Sequence, residues 1–225
     1  MTLAWDERGL MPVVAQDALS GEVRMLAWAN EQAVRRTLES GRATFFSRSR
    51  GALWVKGETS GHHLDVRAVL VDCDADALVY LVTPRGPTCH TGAASCFFRR
   101  LVDEGGGFTV RDEEVPASTL LARLEGVLEA RKQATGEKSY VKSLYEGGPE
   151  KIGAKLREEA DELARAVAGE DDARVASEAA DLLFHTIVAL RARGVPVEAV
   201  LAELDRRAGT SGHDEKRARK PKSVV

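Results

Sequence analysis

Asp72-Cys73-Asp74-Ala75-Asp76 lies between two apolar runs, Val66 to Val71 and Ala77 to Val82. If the segment is extended, Asp72, Asp74 and Asp76 share one face and Cys73 points to the other. Three carboxylates on one face repel one another unless a cation or solvent neutralises them, and a hard, oxygen-preferring ion such as Mg²⁺ suits them. The alternative is an exposed acidic loop. Further on, Cys89-His90-Thr91-Gly92-Ala93-Ala94-Ser95-Cys96 puts two thiols and an imidazole into eight residues, and all three cysteines fall within 24. Thiolates with imidazole suit zinc, which in catalytic sites often keeps three protein ligands and an exchangeable water. An isolated cysteine, by contrast, is usually a small buried hydrophobe. Because Cys73 and the aspartates face opposite ways, two separate metal sites are expected, with Cys73 completing the zinc set across a subunit boundary.

Upstream, Ser47-Arg48-Ser49-Arg50-Gly51 and Lys56-Gly57-Glu58-Thr59-Ser60-Gly61-His62 combine cations, hydroxyls and glycines. Ser47, Arg48, Arg50, Lys56, Thr59, Ser60 and His62 are candidate phosphate contacts, through charge-assisted hydrogen bonds and close backbone approach. Arginine and serine in an ordinary hairpin turn are the alternative. His90, beside a thiolate ligand, is placed to act as a general acid/base or as a fourth metal ligand.

A second acidic constellation lies near the other end. Glu159 and Glu162 are three apart, as are Glu178 and Asp181, so each pair shares a helical face. The midpoint of 159 and 181 is 170, as is that of 162 and 178. An antiparallel hairpin turning near Glu170 therefore brings all four carboxylates to one level. Such a quartet destabilises the hairpin unless a divalent cation neutralises it; a wet acidic helix face is the alternative.

The elements that must position these groups change character near residue 115. Before it come short β-branched runs punctuated by Gly and Pro, and one helix capped by Asn30 with Ala33, Val34, Thr37 and Leu38 inward until Gly41. Asp103-Glu104-Gly105-Gly106-Gly107-Phe108 and Pro116 read as a bridge. Beyond it, Ser118 caps a helix with Leu120, Leu121, Leu124, Val127 and Leu128 as its buried stripe. A polar loop follows, then a helix from Pro149 to about Ala168, a third from about Ala173 to Arg193 and a fourth opened by Pro196. On the third, Ala180, Leu183, Phe184, Ile187, Val188 and Arg191 mark the core stripe, with Glu178 and Asp181 beside it. The chain is expected to be multidomain: a β-rich α+β domain over residues 1–114, then an all-α helical bundle over 115–225.

Composition narrows the function classes. The chain has 225 residues, 44% hydrophobic and 30% charged, which fits a globular protein. With 32 Lys plus Arg against 35 Asp plus Glu, the net charge of −3 disfavours a general nucleic-acid binder. No apolar run approaches the roughly 18 residues of a membrane span. The N-terminus lacks a signal-peptide layout, and an odd cysteine count argues against a disulfide scaffold. A cytoplasmic enzyme is expected. The tail Lys216-Arg217-Ala218-Arg219-Lys220-Pro221-Lys222 reads as a solvated, disordered end.

The four N-terminal motifs, in this order over roughly residues 5 to 105, resemble phosphoribosyl-AMP cyclohydrolase, the histidine-biosynthesis enzyme that opens the adenine ring. Phe46 stands where that family commonly has Trp, and His63 lies outside its usual signature. The resemblance implies a β-rich homodimer with its active site at the subunit interface. It also implies zinc at Cys73, Cys89 and Cys96 and Mg²⁺ at Asp72, Asp74 and Asp76.

The E-x-x-E and E-x-x-D pairs resemble the MazG-like nucleotide pyrophosphohydrolases. Ser139-Tyr140, Gly147 to Lys155 and Ala179 to His185 look specifically like phosphoribosyl-ATP pyrophosphohydrolase, over about residues 120 to 208. That implies Mg²⁺ at Glu159, Glu162, Glu178 and Asp181, with a bundle completed by a second subunit. Lys151 and Lys155, one turn apart, are candidate phosphate contacts. Together the resemblances imply two consecutive hydrolyses, of phosphoribosyl-ATP and then of phosphoribosyl-AMP. A general NTP pyrophosphatase with a regulatory N-terminal half, and a zinc-stabilised module using the basic tail, are the competing functions.

Overall fold

The computed structural model describes residues 2–112, 120–133 and 139–208. The chain divides into two compact units, between residues 119 and 120. The expected boundary at 114/115, the Ser118 cap and the basic tail lie outside the described residues.

The first unit is built on a six-stranded sheet. Its strands are β1 (Met11–Asp17), β2 (Val23–Ala29), β3 (Thr44–Ser47), β4 (Ala52–Val55), β5 (Leu64–Val71) and β6 (Leu78–Pro84), in the order β4-β3-β2-β1-β6-β5. Only the central β1–β6 pair is parallel, Val13 opposite Leu78 through Asp17 opposite Val82. Strict alternation makes Met11, Val13, Ala15 and Asp17 the inward set of β1, and Leu78, Tyr80 and Val82 that of β6. Phe45 and Tyr80 stack at 5.7 Å within this core.

Helix α1 (Glu31–Ser40) covers part of the sheet. The Asn30 side chain accepts from the Ala33 amide at 2.9 Å, a cap that stabilises by about 1 kcal/mol. Gly41 ends the helix at φ +68°, where a side chain would be strained. Ala33, Val34 and Thr37 are buried as expected, whereas Leu38 is exposed.

Two expectations for this unit need correction. The glycine run is not a bridge: β7 (Arg99–Asp103) and β8 (Phe108–Asp112) form an antiparallel hairpin around it. Nor is Asp72 to Asp76 extended. It is the turn joining β5 to β6, with Ala75 in the left-handed region at φ +65°. Asp72 Oδ1 accepts the Asp76 and Ala77 amides at 3.0 and 3.2 Å, and this local bonding competes with the strand ladder.

Among the described residues the second unit is helical: α2 (Leu120–Gln133), α3 (Tyr140–Glu146), α4 (Gly148–Gly169), α5 (Asp172–Ala192) and α6 (Val197–Ala208). Helix α3, capped by Ser139, occupies part of the expected polar loop and buries Val141 and Leu144. Pro149 starts α4, and the α4–α5 turn spans Glu170 and Asp171. Arg191 ties α5 to α2, donating to Glu125 at 3.0 Å and to Glu129 at 2.7 Å.

The buried stripes are shifted from those expected. Leu128 is fully buried and Leu121 and Leu124 partly so, but Leu120 and Val127 are exposed. On α5, Ile187 and Val188 are buried as expected, while Ala180 and Leu183 face outward and Glu178 and His185 are buried. Within the acidic edge Glu159 and Glu178 are buried, while Asp181 stays exposed. No helix among the described residues is long and apolar enough to cross a membrane.

Candidate active sites

In the first unit a cleft of about 590 Å³ opens between β4 with its following turn and the segment after β6. The turn supplies Lys56, Thr59, Ser60 and His62; the segment supplies Cys89, His90 and Cys96; Arg50 adds a cation. Lys56 Nζ donates to the His62 carbonyl at 3.2 Å, and the Lys56 carbonyl lies 3.0 Å from His63 Nδ1. These bonds close the turn on itself. Desolvation holds the Lys56 ammonium below the usual lysine range, against the raising influence of Cys96 and Cys89.

The thiols of Cys89 and Cys96 lie close enough for each to shift the ionisation of the other. Cys89 Sγ also accepts from Thr91 Oγ1 at 3.2 Å and lies 3.8 Å from His90 Nδ1. The Thr91 hydroxyl is the main reason the Cys89 thiol sits below the ordinary range. Cys96 is pushed up to about 11, first by desolvation and then by the adjacent Cys89 charge. Two converging sulfurs beside an imidazole fit a zinc ion by the chemistry of the donor set.

Other predicted residues lie elsewhere. Ser47 Oγ accepts the Arg50 amide and side-chain Nε, each at 3.3 Å, and so shapes its own turn. The Arg48 guanidinium stacks 4.8 Å from the centroid of the Trp28 ring. Neither Ser47 nor Arg48 lines the cleft. Asp72, Asp74 and Asp76 do converge, with one carboxylate oxygen from each within 4.8 Å of the others. Asp76 is raised above the ordinary range mainly by Asp72, a sign of the crowding a cation would relieve. The aspartate turn and exposed Cys73 precede β6, whereas Cys89 and Cys96 follow it. Seven residues of strand separate them, roughly 20 Å.

The helical unit holds the second centre. Ligand atoms of Glu159, Glu178 and Asp181 lie within 4.8 Å of one another. Glu162 adjoins Glu178 and adds its charge, although it is not in that tight trio. Glu159 and Glu178 are 5% and 2% exposed, so their carboxylates cannot rely on bulk water. Lys155 Nζ sits 3.0 Å from Glu159 Oε1, and Arg174 Nη1 lies 2.7 Å from Glu178 Oε1. Among the described residues, Glu178 Oε2 is buried without a hydrogen-bond partner. That orphaned oxygen among converging acids fits a divalent cation with oxygen ligands. Lys151 turns away, donating to the Ser143 carbonyl and hydroxyl at 3.1 and 3.3 Å.

Two family models match the chain, each over one of the two units. The one for phosphoribosyl-AMP cyclohydrolase covers residues 25–98, and the one for phosphoribosyl-ATP pyrophosphohydrolase covers 121–208. The histidine biosynthesis bifunctional protein HisIE of Deinococcus radiodurans is 46% identical over 210 residues, 93% of this chain and 94% of that protein. Its counterpart from Escherichia coli K12 is 42% identical over 206 residues, 91% and 95% of the two chains. The chloroplastic protein of Arabidopsis thaliana is 40% identical, spanning 96% of this chain and 79% of its own. The chain belongs to this bifunctional family.

Some residues of the bifunctional chain make contacts to which their sequence motifs assign no individual role. Tyr140 Oη lies 2.7 Å from His185 Nε2, and His185 Nδ1 is 2.9 Å from the Asp181 carbonyl and 3.6 Å from Glu159 Oε1. A histidine one helical turn beyond Asp181 was the available signal. Thr91, inside the cysteine motif, was another. Arg24, buried beneath the cysteine segment, gave no signal at all.

Gly57 is decisive for the cleft of the bifunctional protein. It adopts φ +85°, and a Cβ there would meet the His62 carbonyl carbon and oxygen at 2.4 Å and the His63 nitrogen at 2.5 Å. Backbone cannot swing away as a flexible side chain can. Gly57→Ala is expected to displace the Lys56–His62 turn, lower ring-opening activity by at least about 10-fold and destabilise the first unit by about 1–3 kcal/mol. Pyrophosphate release is expected to stay at the wild-type level. The two assays and urea denaturation check this; unchanged ring opening would contradict the placement of this turn in the site.

Proposed function

We propose that the chain catalyses two successive hydrolyses in histidine biosynthesis. The C-terminal domain, residues 115–225, converts phosphoribosyl-ATP and water to phosphoribosyl-AMP and pyrophosphate. The N-terminal domain, residues 1–114, then adds water across the N1–C6 bond of the adenine ring of that product. The observation that carries the proposal is the pairing of each family match with its own chemically distinct site: thiols with imidazole in one unit, buried carboxylates in the other.

In the cyclohydrolase cleft, Cys89 and Cys96 would hold zinc, with Cys73 supplied by a second copy of the chain because its own β6 keeps it far from the other two. When bound, zinc would supply hydroxide near neutral pH by lowering the pKa of water to about 7. His90 holds a proton at the cleft wall and exchanges it with the ring nitrogen released on opening. Arg50, Lys56, Thr59, Ser60 and His62 bind and orient the phosphoribosyl moiety, while Ser47 and Arg48 shape the adjoining turn. Asp72, Asp74 and Asp76 would hold Mg²⁺.

In the helical domain, a MazG-like bundle, Glu159, Glu162, Glu178 and Asp181 would hold Mg²⁺. When bound, that ion offsets the negative charge of the triphosphate and of the leaving pyrophosphate. Lys155, now paired with Glu158 and Glu159, is close enough to exchange a carboxylate for a phosphate oxygen. Lys151 needs to leave Ser143 to do so. A cytoplasmic homodimer is the form proposed.

Product analysis on phosphoribosyl-ATP, with and without a zinc-selective chelator in excess Mg²⁺, tests the assignment. The untreated enzyme is expected to give the ring-opened product and pyrophosphate, and the chelated enzyme to accumulate phosphoribosyl-AMP. Loss of pyrophosphate release on zinc removal would refute the division of labour.

A further inference from the structure

Asp17 ends the inward-facing set of β1, where an apolar residue would continue the pattern. Its carboxylate accepts from Arg24 Nη2 at 2.7 Å and Nε at 3.2 Å, while Glu22 Oε2 lies 2.8 Å from Arg24 Nη1. Asp17, Glu22 and Arg24 are only 6%, 9% and 6% exposed. A buried guanidinium between two carboxylates is a poor device for stability alone, because desolvating the charges opposes their attraction.

What the cluster touches is the cysteine segment. The Arg24 carbonyl accepts the Cys96 amide at 2.8 Å, and Arg24 Nη1 reaches the Ala94 carbonyl at 3.4 Å. The neighbouring Val23 carbonyl accepts Ser95 Oγ at 2.7 Å, and Ser95 Oγ in turn accepts the Phe97 amide at 3.0 Å. Three consecutive residues, Ala94 to Cys96, are thus fixed to Val23 and Arg24. The arm carrying Cys89 joins at the same node: the Thr88 amide donates to the Ala94 carbonyl and the Cys89 amide to the Ala93 carbonyl, at 3.3 and 3.0 Å. The guanidinium therefore meets the carbonyl at which the two thiol-bearing arms are tied.

We infer that Arg24, held in place by Asp17 and Glu22, is a positioning residue that sets the separation of the Cys89 and Cys96 thiols for zinc. This inference rests on the proposed zinc role of those thiols. Partners that orient metal ligands from behind typically matter about 10- to 100-fold in affinity.

The test uses the full chain and its variants Arg24→Met, Arg24→Lys and Ser95→Ala. Zinc affinity is measured by competition with a chromophoric chelator, and thiolate coordination by the ultraviolet charge-transfer band of the Cd²⁺-loaded protein. Arg24→Met is expected to bind zinc about 10- to 100-fold more weakly, with a shifted Cd²⁺ band and unchanged pyrophosphate release. Arg24→Lys is expected to recover part of the affinity. Ser95→Ala removes one tie without touching a buried charge, so it serves if Arg24→Met does not fold, with an expected weakening of about 10-fold. Wild-type affinity and band in both folded variants, or in Ser95→Ala alone when Arg24→Met fails to fold, would overturn the inference. Absence of a thiolate band in wild-type protein would instead overturn the zinc assignment itself.

Discussion

Cys89→Ala is expected to abolish opening of the adenine ring while pyrophosphate release from phosphoribosyl-ATP continues at the wild-type rate. Cys89 is the buried member of the pair, 7% exposed, and the Thr91 hydroxyl bond favours its thiolate. Cys96 by contrast keeps its proton until the pH approaches about 11. Removing Cys89 therefore deletes the sulfur of the pair that ionises more readily. Cys89→Ser retains the size and a partner for Thr91 but no thiolate, and it is expected to be equally inactive. Supplying phosphoribosyl-AMP directly isolates the ring-opening step, and pyrophosphate release from phosphoribosyl-ATP reports the other. Loss of both activities in a folded variant would contradict two independent sites.

The same pair predicts the pH dependence of zinc uptake. Binding to both sulfurs displaces any thiol protons they carry, so affinity is expected to rise with pH, by at least about tenfold per pH unit while Cys96 stays protonated. The raised Cys96 value opposes loading at low pH, and the lowering of Cys89 by the Thr91 hydroxyl reduces that cost. Chelator competition at several pH values gives the slope.

What could be read from the sequence divides along a physical line. The Asn30 and Gly41 caps of α1, the β5 and β6 runs and the Pro149 start of α4 were legible because each depends on residues within one turn or one strand. The convergence of Glu159, Glu178 and Asp181 was legible because a short antiparallel hairpin fixes heights by counting. The direction of its face was not: Leu183 is outward and Glu178 inward, since helix phase is set by the neighbours that pack. The clustering of the three aspartates follows from their spacing, whereas their turn conformation does not, because nothing in Ala75 signals a positive φ. Arg24 was invisible for a different reason. An arginine in a strand reads as solvated, and the residues that make it matter lie some 70 positions away.

Glu178→Gln is expected to separate stability from catalysis in the helical domain. Burial raises the Glu178 carboxyl above the ordinary glutamate value of 4.5, the Arg174 charge opposes, and Glu162 and Asp181 raise it further. A carboxyl raised by folding binds its proton more tightly in the folded state. Its favourable contribution is complete below the unfolded value and is lost as pH rises through the folded one. Metal-free protein is therefore expected to lose helical-domain stability as pH rises from about 4.5, and Mg²⁺ to restore it by neutralising the trio. Glutamine keeps the shape and can donate to a neighbouring carboxylate, so the metal-free variant is expected to melt higher than wild type above that range, with a flatter pH profile. The substitution removes a proposed metal ligand as well. The Mg²⁺-dependent rise in melting temperature should shrink, and pyrophosphate release should fall by more than the roughly 10- to 100-fold typical of changes behind a metal site. Ring opening of supplied phosphoribosyl-AMP should persist. Melting curves with Mg²⁺ or EDTA across pH, together with both assays, measure each part. A variant that retains the full Mg²⁺ shift would remove Glu178 from the metal site, whatever its activity.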